Sequence, residues 1–405
     1  LIGVFFAGID WADDHHDVVI LGPTGSLEAG FRVTHSLAGL KELIIRLRGL
    51  TGRPEDVACI IETRHGLLVT TLLEAGFPVY PVNPKTVDRH RKPSRAKTDA
   101  IDAAILARHG LKGLDELRLL KPDNPMIQEL KVLTQDQMAL IQQQTRLVNQ
   151  LTACLKAYYP VALEFFTKLQ QPVTLAFLQA YPTLEAVRAA HTDEIAALLK
   201  KFRHPRPNET AQHIAVKAHE PQLHADPVTK RAKSRLMLAI VAQLAPLVDA
   251  IREYDKAIDK VFTAHPDNEI FQSLPGAGKR LAPRLLAEWG DDRNRYASYE
   301  SVAALAGTSP VPFQSGRYSR AHKRYACVKP FRAALHSFAW QSTRTELWAK
   351  DYYLRKRREG KSHSVAVRAL SNIWVRIIHA MWLKHEQYNP TEFLNARAAH
   401  QARAA

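Results

Sequence analysis

Two aspartates stand three residues apart in KTDAID, residues 97–102, directly after a segment crowded with positive charge. From Lys85 to Lys97 there are six Lys/Arg and one acid. Three residues is nearly one helical turn, so Asp99 and Asp102 leave the same helix face, where like charges repel. A cation between them would remove that repulsion. Two further acids follow apolar runs, Asp10 after LIGVFFAGI and Glu62 after VACII. Four hard oxygen donors, with no histidine or cysteine at ligand spacing, suit Mg²⁺ or Mn²⁺. Two such ions can clamp the attacking and leaving oxygens of a phosphodiester displacement. Singly, each acid has an ordinary reading as a turn residue, a cap or a complement to a helix dipole. Asp13, Asp14 and Asp17 compete with Asp10, but Asp10 ends its strand. His15 and His16 read as solvated loop or edge residues rather than ligands.

The elements that must position these acids can be read in order. Residues 3–9, 17–21 and 29–33 have the pattern of strands, with Gly22, Pro23 and Gly25 turning the chain between the second and third. An amphipathic helix follows from about Ser36 to Leu50, then a strand over 56–62, a helix over 66–75, a strand over 78–83, the basic stretch, and a helix from near Thr98. The order βββαβαβα describes an α/β domain with a mixed sheet and helices on its faces. If its first and fourth strands are neighbours, all four carboxylates meet at one edge.

From about Pro125 the pattern changes to long helices. Met126, Leu130, Leu133, Gln137, Leu140, Gln144, Leu147 and Leu151 form a heptad seam, and Met237, Ile240, Leu244, Leu247, Ile251, Tyr254, Ile258 and Val261 form another. Pro246 interrupts the second and is expected to kink it. The seams suit either an antiparallel pair within the chain or an interface between chains. Between them, 160–235 reads as an inserted segment containing KKFRHPRP. From Phe271 a mainly α-helical unit runs to about Tyr388, followed by a frayed tail. The expected domains are 1–115, 116–265, 266–390 and a disordered 391–405.

With 56 Lys+Arg against 40 Asp+Glu, the 405-residue chain carries a formal charge of +16, which favours a polyanionic partner. Nucleic acid fits better than a membrane, because no basic amphipathic helix dominates. At 46% hydrophobic residues the chain is not of a disordered class. Cys59, Cys154 and Cys327 are widely separated, which supports neither a disulfide framework nor a zinc finger and points to a cytoplasmic compartment. The opening apolar run lacks a basic leader and reaches an aspartate by position 10, so it reads as a buried strand.

A second chemical candidate is Ser315 in TSPVPFQSGRYSRAHKR. From Arg317 to Arg332 there are six Lys/Arg and no acid. A serine hydroxyl needs activation and a target held in place, and arginines can hold phosphate bidentately. By itself, however, Ser-Gly in a polar loop is usually a turn. The glycines of LPGAGK, Gly276 and Gly278, followed by Lys279, suit either backbone approach to a phosphate at a helix start or an ordinary interhelical turn. The run LRKRREGK, 354–361, reads as a backbone contact or a solvated basic face.

The stretches AGIDWA, IIETRHG and KTDAIDA closely resemble the DEDD signature of a RuvC-like domain in a bacterial insertion-sequence transposase family, the one-ten family, related to Piv-type DNA invertases. GTSP at 307–310 and the Ser315-Gly316 pair resemble that family's C-terminal transposase domain. The resemblance implies an RNase H-like N-terminal fold, with Asp10, Glu62, Asp99 and Asp102 as the metal-binding tetrad for Mg²⁺ and Ser315 as nucleophile. It also implies a dimer or tetramer and a structured bridge RNA that pairs with donor and target DNA. Nucleic-acid contacts are then expected from Arg89, Arg91, Lys92, Arg95 and Lys97, from the LPGAGK turn, and from Arg317, Arg320, Lys323 and Arg324. The expected activity is strand breakage and rejoining through a covalent phosphoserine. The alternatives are a hydrolytic RNase H-like nuclease or junction resolvase, in which Ser315 is a loop residue, and a non-catalytic nucleic-acid-binding scaffold.

Overall fold

Strand alternation sets the layout of the N-terminal unit in the computed structural model, which describes residues 3–63, 66–82, 98–121, 123–315, 318–392 and 395. Five strands, β1 (Phe5–Trp11), β2 (His15–Leu21), β3 (Leu27–Thr34), β4 (Val57–Ile61) and β5 (Val79–Pro81), form one mixed sheet in the order β3-β2-β1-β4-β5. β1 to β3 pair antiparallel, whereas β4 lies parallel to both β1 and β5. The first and fourth strands are thus neighbours. Helices α1 (Leu37–Thr51) and α2 (Leu67–Glu74) provide the crossovers before β4 and β5. Ser36 caps α1 by accepting a hydrogen bond from the Gly39 amide, and Gly52 ends it at φ 71°.

Successive residues of a strand point to opposite faces. Ala7, Ile9, Val18, Ile20, Cys59 and Ile61 pack against α1 and α2, with Leu40, Leu43, Leu47, Leu68 and Leu72 completing that core. Phe6, Val19, Leu21, Ala58 and Ile60 pack on the other face, beneath α3 (Asp99–Gly113). There the chain needs small residues. A Cβ on Gly8 would lie 2.1 Å from the Ala103 carbonyl oxygen and 2.3 Å from the Ala107 nitrogen, and one on Gly110 would lie 2.5 Å from Ile60. The helix therefore rests directly on the strand backbone.

The chain divides into two compact units, 1–122 and 123–405. The second is built around α4 (Pro125–Tyr158) and α10 (Pro227–Ala264). Gln137 Nε2 donates to Asp255 Oδ1 at 2.8 Å, and the Cys154 thiol lies 3.3 Å from the Lys233 carbonyl, so the helices run antiparallel. The two heptad seams thus pair with each other within one chain. Pro246 lies inside α10 on an exposed position and does not end the helix.

Two cores flank this pair. At one end, Leu147–Tyr158 and Met237–Ile251 pack with the inserted segment, whose helices are α5 (Ala162–Phe165), α6 (Pro172–Ala180), α7 (Leu184–Ala189), α8 (Thr192–Lys201) and α9 (Pro207–His219). At the other end, Ile127, Leu130, Ile258 and Phe262 join an aromatic core of Trp289, Phe331, Phe338, Trp374 and Trp382. This core belongs to α11 (Asn268–Gln272), α12 (Gly278–Trp289), α13 (Tyr299–Leu305), α14 (Lys329–Thr345), α15 (Leu347–Arg358) and α16 (His363–Lys384). A hairpin of β6 (Val311–Ser315) and β7 (Tyr318–His322) interrupts the helices between α13 and α14. Most of the 391–405 tail lies outside the described residues.

Because Gly8 meets backbone atoms rather than a movable side chain, Gly8→Ala is expected to destabilise the N-terminal unit by about 2–3 kcal/mol in denaturant unfolding. Gly30→Ala in β3, where an added Cβ meets nothing within 4 Å, should change stability by less than about 0.5 kcal/mol.

Candidate active site

The strand registers draw a row of charge across the sheet. Arg32 pairs with Asp17 across β3 and β2, and Asp17 pairs with Asp10 across β2 and β1. Ile9 pairs with Ile61 in the parallel direction, so Asp10 and Glu62 are the next residues along on β1 and immediately after β4. By alternation all four lie on the α3 face: Asp10 follows Phe6 and Gly8, Glu62 follows Ala58 and Ile60, and Asp17 precedes Val19.

Helix α3 runs over this face from Gly110 near Phe6, through Ala107 and Ala103 on Gly8, towards Asp10. Its first turn therefore arrives above the acidic row. Thr98 fixes that start, its side chain accepting from the Ile101 amide, and Asp99 and Asp102 both fall in the first turn. Asp102 is buried at 5% exposure, while Asp99 is half-buried.

The electrostatics record the convergence. Burial, reinforced in order by the charges of Asp102, Glu62, Asp99 and Asp17, pushes the Asp10 carboxyl up to about 6 from an ordinary value near 3.8. The chain's own cations reach the outer members of the group. Arg32 donates to Asp17 at 2.9 Å and lies 3.8 Å from Asp99; His15 Nε2 lies 3.4 Å from Asp99 and 3.6 Å from Asp17. The hydrogen bond to Asp14, and secondarily that to Asp99, raises the His15 pKa.

Donor atoms of His15, Asp17 and Asp99 all lie within 4.8 Å of one another, a second grouping able to hold a metal. The sequence reading set these histidines aside as solvated, and that expectation needs correction. β2 begins at His15, two residues earlier than expected, which places His15 and Asp17 on the face of Asp10. His16 points to the opposite face, is fully buried, and lies with its Nε2 2.8 Å from His35 Nδ1. Burial pushes His16 down to about 4. Alternation back from Val19 was the signal that would have found this arrangement.

In the second unit, Ser315 is the last residue of β6 and stands opposite Tyr318 in the hairpin register; Arg320 stands opposite Phe313. Gly307 before it has φ 68° and passes so close to Cys327 that a Cβ would lie 2.7 Å from its sulfur. Thr308 is buried and hydrogen-bonds to Asn372 and to the Ala303 carbonyl. GTSP is thus a packed corner from which the hairpin leaves. Arg324 Nε donates to the Ser309 carbonyl at 3.4 Å, and exposed Lys323 lies 5.5 Å from the Tyr325 ring centroid.

Of the LPGAGK glycines, Gly276, at φ 78°, abuts Thr345 and the Gln341 backbone of α14, which accounts for it as an interhelical turn. Gly278, at φ 57°, faces open space, and Lys279 beside it is exposed. Arg89, Arg91, Lys92, Arg95, Lys97 and Arg317 lie outside the described residues.

A sheet carrying an acidic row beneath a helix start, followed by a basic helical unit, has the marks of a DNA-processing enzyme, and comparisons with known proteins give the same class. A DEDD transposase model of the IS110 type matches residues 7–160, and the transposase model of the IS116/IS110/IS902 family matches residues 268–354. The IS117 mini-circle transposase candidate of Streptomyces coelicolor is 32% identical, with 92% of each chain covered. An IS900 protein of 42 kDa from Mycobacterium paratuberculosis is 31% identical over 95% of this chain and 97% of its own. An IS116 protein of 44.8 kDa from Streptomyces clavuligerus is 28% identical over 95% and 96%. The chain belongs to the IS110/IS116/IS902 family of transposases.

The raised Asp10 pKa has a stability consequence with a definite sign. The folded protein holds this proton more tightly than the unfolded chain does, so without metal the wild type loses stability as pH rises from about 3.8 through about 6. In a chelating buffer, Asp10→Asn is expected to be more stable than wild type by about 1 kcal/mol at pH 7.5, allowing for partial solvent screening, and equal to it below about pH 3.8. Thermal unfolding across that range measures the difference.

Proposed function

We propose that the protein is the DNA recombinase of an insertion sequence, breaking and rejoining strands through a covalent bond between Ser315 and a DNA phosphate. The observation that supports this most directly is the concentration of carboxylates around Asp10, a charge arrangement of high cost without a cation, within a chain of transposase family. The donor chemistry fits a hard divalent ion. Asp10, Glu62, Asp99 and Asp102 would hold Mg²⁺, or Mn²⁺ in its place, through oxygen alone. When bound, the metal would supply electrophilic polarisation of the scissile phosphate and charge neutralisation for the displacement.

The chain's own residues do the rest. The Ser315 oxygen forms a bond to phosphorus as one bond from phosphorus to a sugar oxygen breaks, and the hydroxyl proton is balanced on the departing sugar hydroxyl. The phosphodiester is exchanged rather than hydrolysed, so the reverse displacement by another sugar hydroxyl reseals a strand without ATP. The basic residues from Arg317 to Arg332 would carry the DNA phosphates to the serine, and the segment from Lys85 to Lys97 would serve the carboxylates similarly. Family membership supports a bridge RNA as the source of sequence choice, leaving the protein to hold backbone and shape. A dimer or tetramer acting on cytoplasmic DNA completes the reading. The α4–α10 pair, whose seams meet within the chain, leaves its exposed faces and the other surfaces for joining protomers.

Mg²⁺ is expected to raise the melting temperature of wild type, by a larger increment above pH 6 than below it, because the Asp10 ligand must lose its proton to bind. Asp10→Asn should cancel the increment, and His15→Ala should leave it. The reverse pattern would assign the metal to the His15, Asp17 and Asp99 group instead.

With element-end DNA, its guide RNA and Mg²⁺, wild type should yield a protein-DNA adduct that survives denaturation, and Ser315→Ala should yield none and lose at least about 10³-fold in strand exchange. Ser309→Ala and Ser319→Ala serve as controls. Metal-dependent cleavage that persists in Ser315→Ala, with no adduct in wild type, would identify a hydrolytic nuclease. Recombination unchanged in Asp10→Ala and Asp102→Ala would leave only a scaffold.

A further inference from the structure

Helix α14 carries a row of residues that the proposed chemistry leaves unused. Arg332, His336, Trp340 and Arg344 recur every four residues, so they share one face. Phe331, Ala334, Leu335 and Phe338 turn the opposite side into the core. Neighbouring helices add to the row. The His363 ring of α16 lies 4.8 Å from Trp340, and the Tyr353 ring of α15 lies 5.3 Å from it, with the Tyr353 hydroxyl 2.9 Å from His363 Nδ1. The Arg344 guanidinium lies 5.8 Å from the Trp340 ring centroid.

At this end the surface opens into a cleft of about 370 Å³, lined by Trp340, Tyr353, Arg344 and Lys350, with Glu346 as its carboxylate. Towards the start of α14, Arg332 Nη1 and His336 Nε2 are buried without a hydrogen-bond partner among the described residues. Burial, and then the positive charges of Arg332, Arg368, Lys323 and His363, push His336 down to about 4.

Crowded cations and unmet buried donors destabilise a fold unless a ligand answers them. Aromatic rings set among such cations suit unpaired bases, which stack on rings while their phosphates meet the charge; the bases of a duplex are already stacked on one another. We propose that the α14 row binds a single-stranded stretch of nucleic acid, one base stacking on the Trp340–Tyr353 pair in the cleft. The phosphates on one side meet Arg344 and Lys350, and those on the other meet Arg332 and Arg368. This deepens the recombinase reading by naming what a strand opened for exchange rests on, and it rests on that reading only for the source of the strand.

The test uses the full chain carrying Ser315→Ala, so that strand chemistry plays no part in the outcome. Fluorescence anisotropy with labelled oligo-dT, oligo-U and a duplex, each about 15 nucleotides long, reads affinity on both sides of the comparison. Trp340→Leu should weaken single-strand binding about tenfold and leave duplex binding within about twofold. Arg344→Gln should reduce the slope of log affinity against log salt by about one. A loss confined to oligo-dT assigns the row to a DNA strand, and one confined to oligo-U assigns it to RNA; either supports the proposal. Single-strand affinity unchanged in Trp340→Leu, or an equal loss on the duplex, overturns it. If circular dichroism shows Trp340→Leu unfolded, the exposed Arg344→Gln decides alone, and an unchanged salt slope overturns the proposal.

Discussion

Mutual repulsion among carboxylates is the constraint on which the N-terminal unit turns. Asp10, Glu62, Asp99 and Asp102 push one another apart, and burial together with these neighbouring charges raises the Asp10 pKa to about 6. Nothing in their own interaction gathers them. The gathering is done elsewhere, by apolar packing of Ala103, Leu106 and Ala107 on Phe6, Ala58 and Ile60, and by the bare backbone of Gly8 that lets α3 settle against β1. Packing thus stores an electrostatic cost at one edge of the sheet, and hydrophobic contact along α3 holds it in place.

The protein's own cations define what is left for a ligand to do. Arg32 and His15 attend Asp17 and Asp99 from the β3 side of the row. The named charges acting on Asp10, by contrast, are all negative. Within the row, Asp17 and Asp99 are thus the acids that Arg32 and His15 partly neutralise.

Much of this could be read in the sequence because two periodicities are simple. The apolar runs LIGVFFAGI and VACII put Asp10 and Glu62 at strand ends, but that β1 lies beside β4 was only a condition until the sheet order supplied it. The three-residue spacing of Asp99 and Asp102 gave the helix face. His15 and Asp17 escaped because strand ends are weakly signalled: the acidic turn ADDHH hides where β2 starts, and a shift of two residues separates a solvated loop from a sheet face. The heptad seams were visible, but spacing alone could not say whether each helix meets its own chain or another. Antiparallel partners needed a long reversal, and the inserted segment supplies it. The basic row on α14 was missed because its pattern is amphipathic in the ordinary way, with cations where solvent is expected. Only its closeness to α15 and α16 distinguishes it.

The α4–α10 pair has a consequence for how such a chain can change over time. At 1.5 Å per residue, the 34 residues of α4 span about 50 Å, and the cores at its two ends share no buried residue. Substitutions that repack the far core, or additions to it, need not be answered by compensating changes around Trp289 and Trp374. The far end is therefore free to diversify at a different pace, so that lineages carrying this chain can acquire new surfaces there while the end built on Trp289 and Trp374 stays constant.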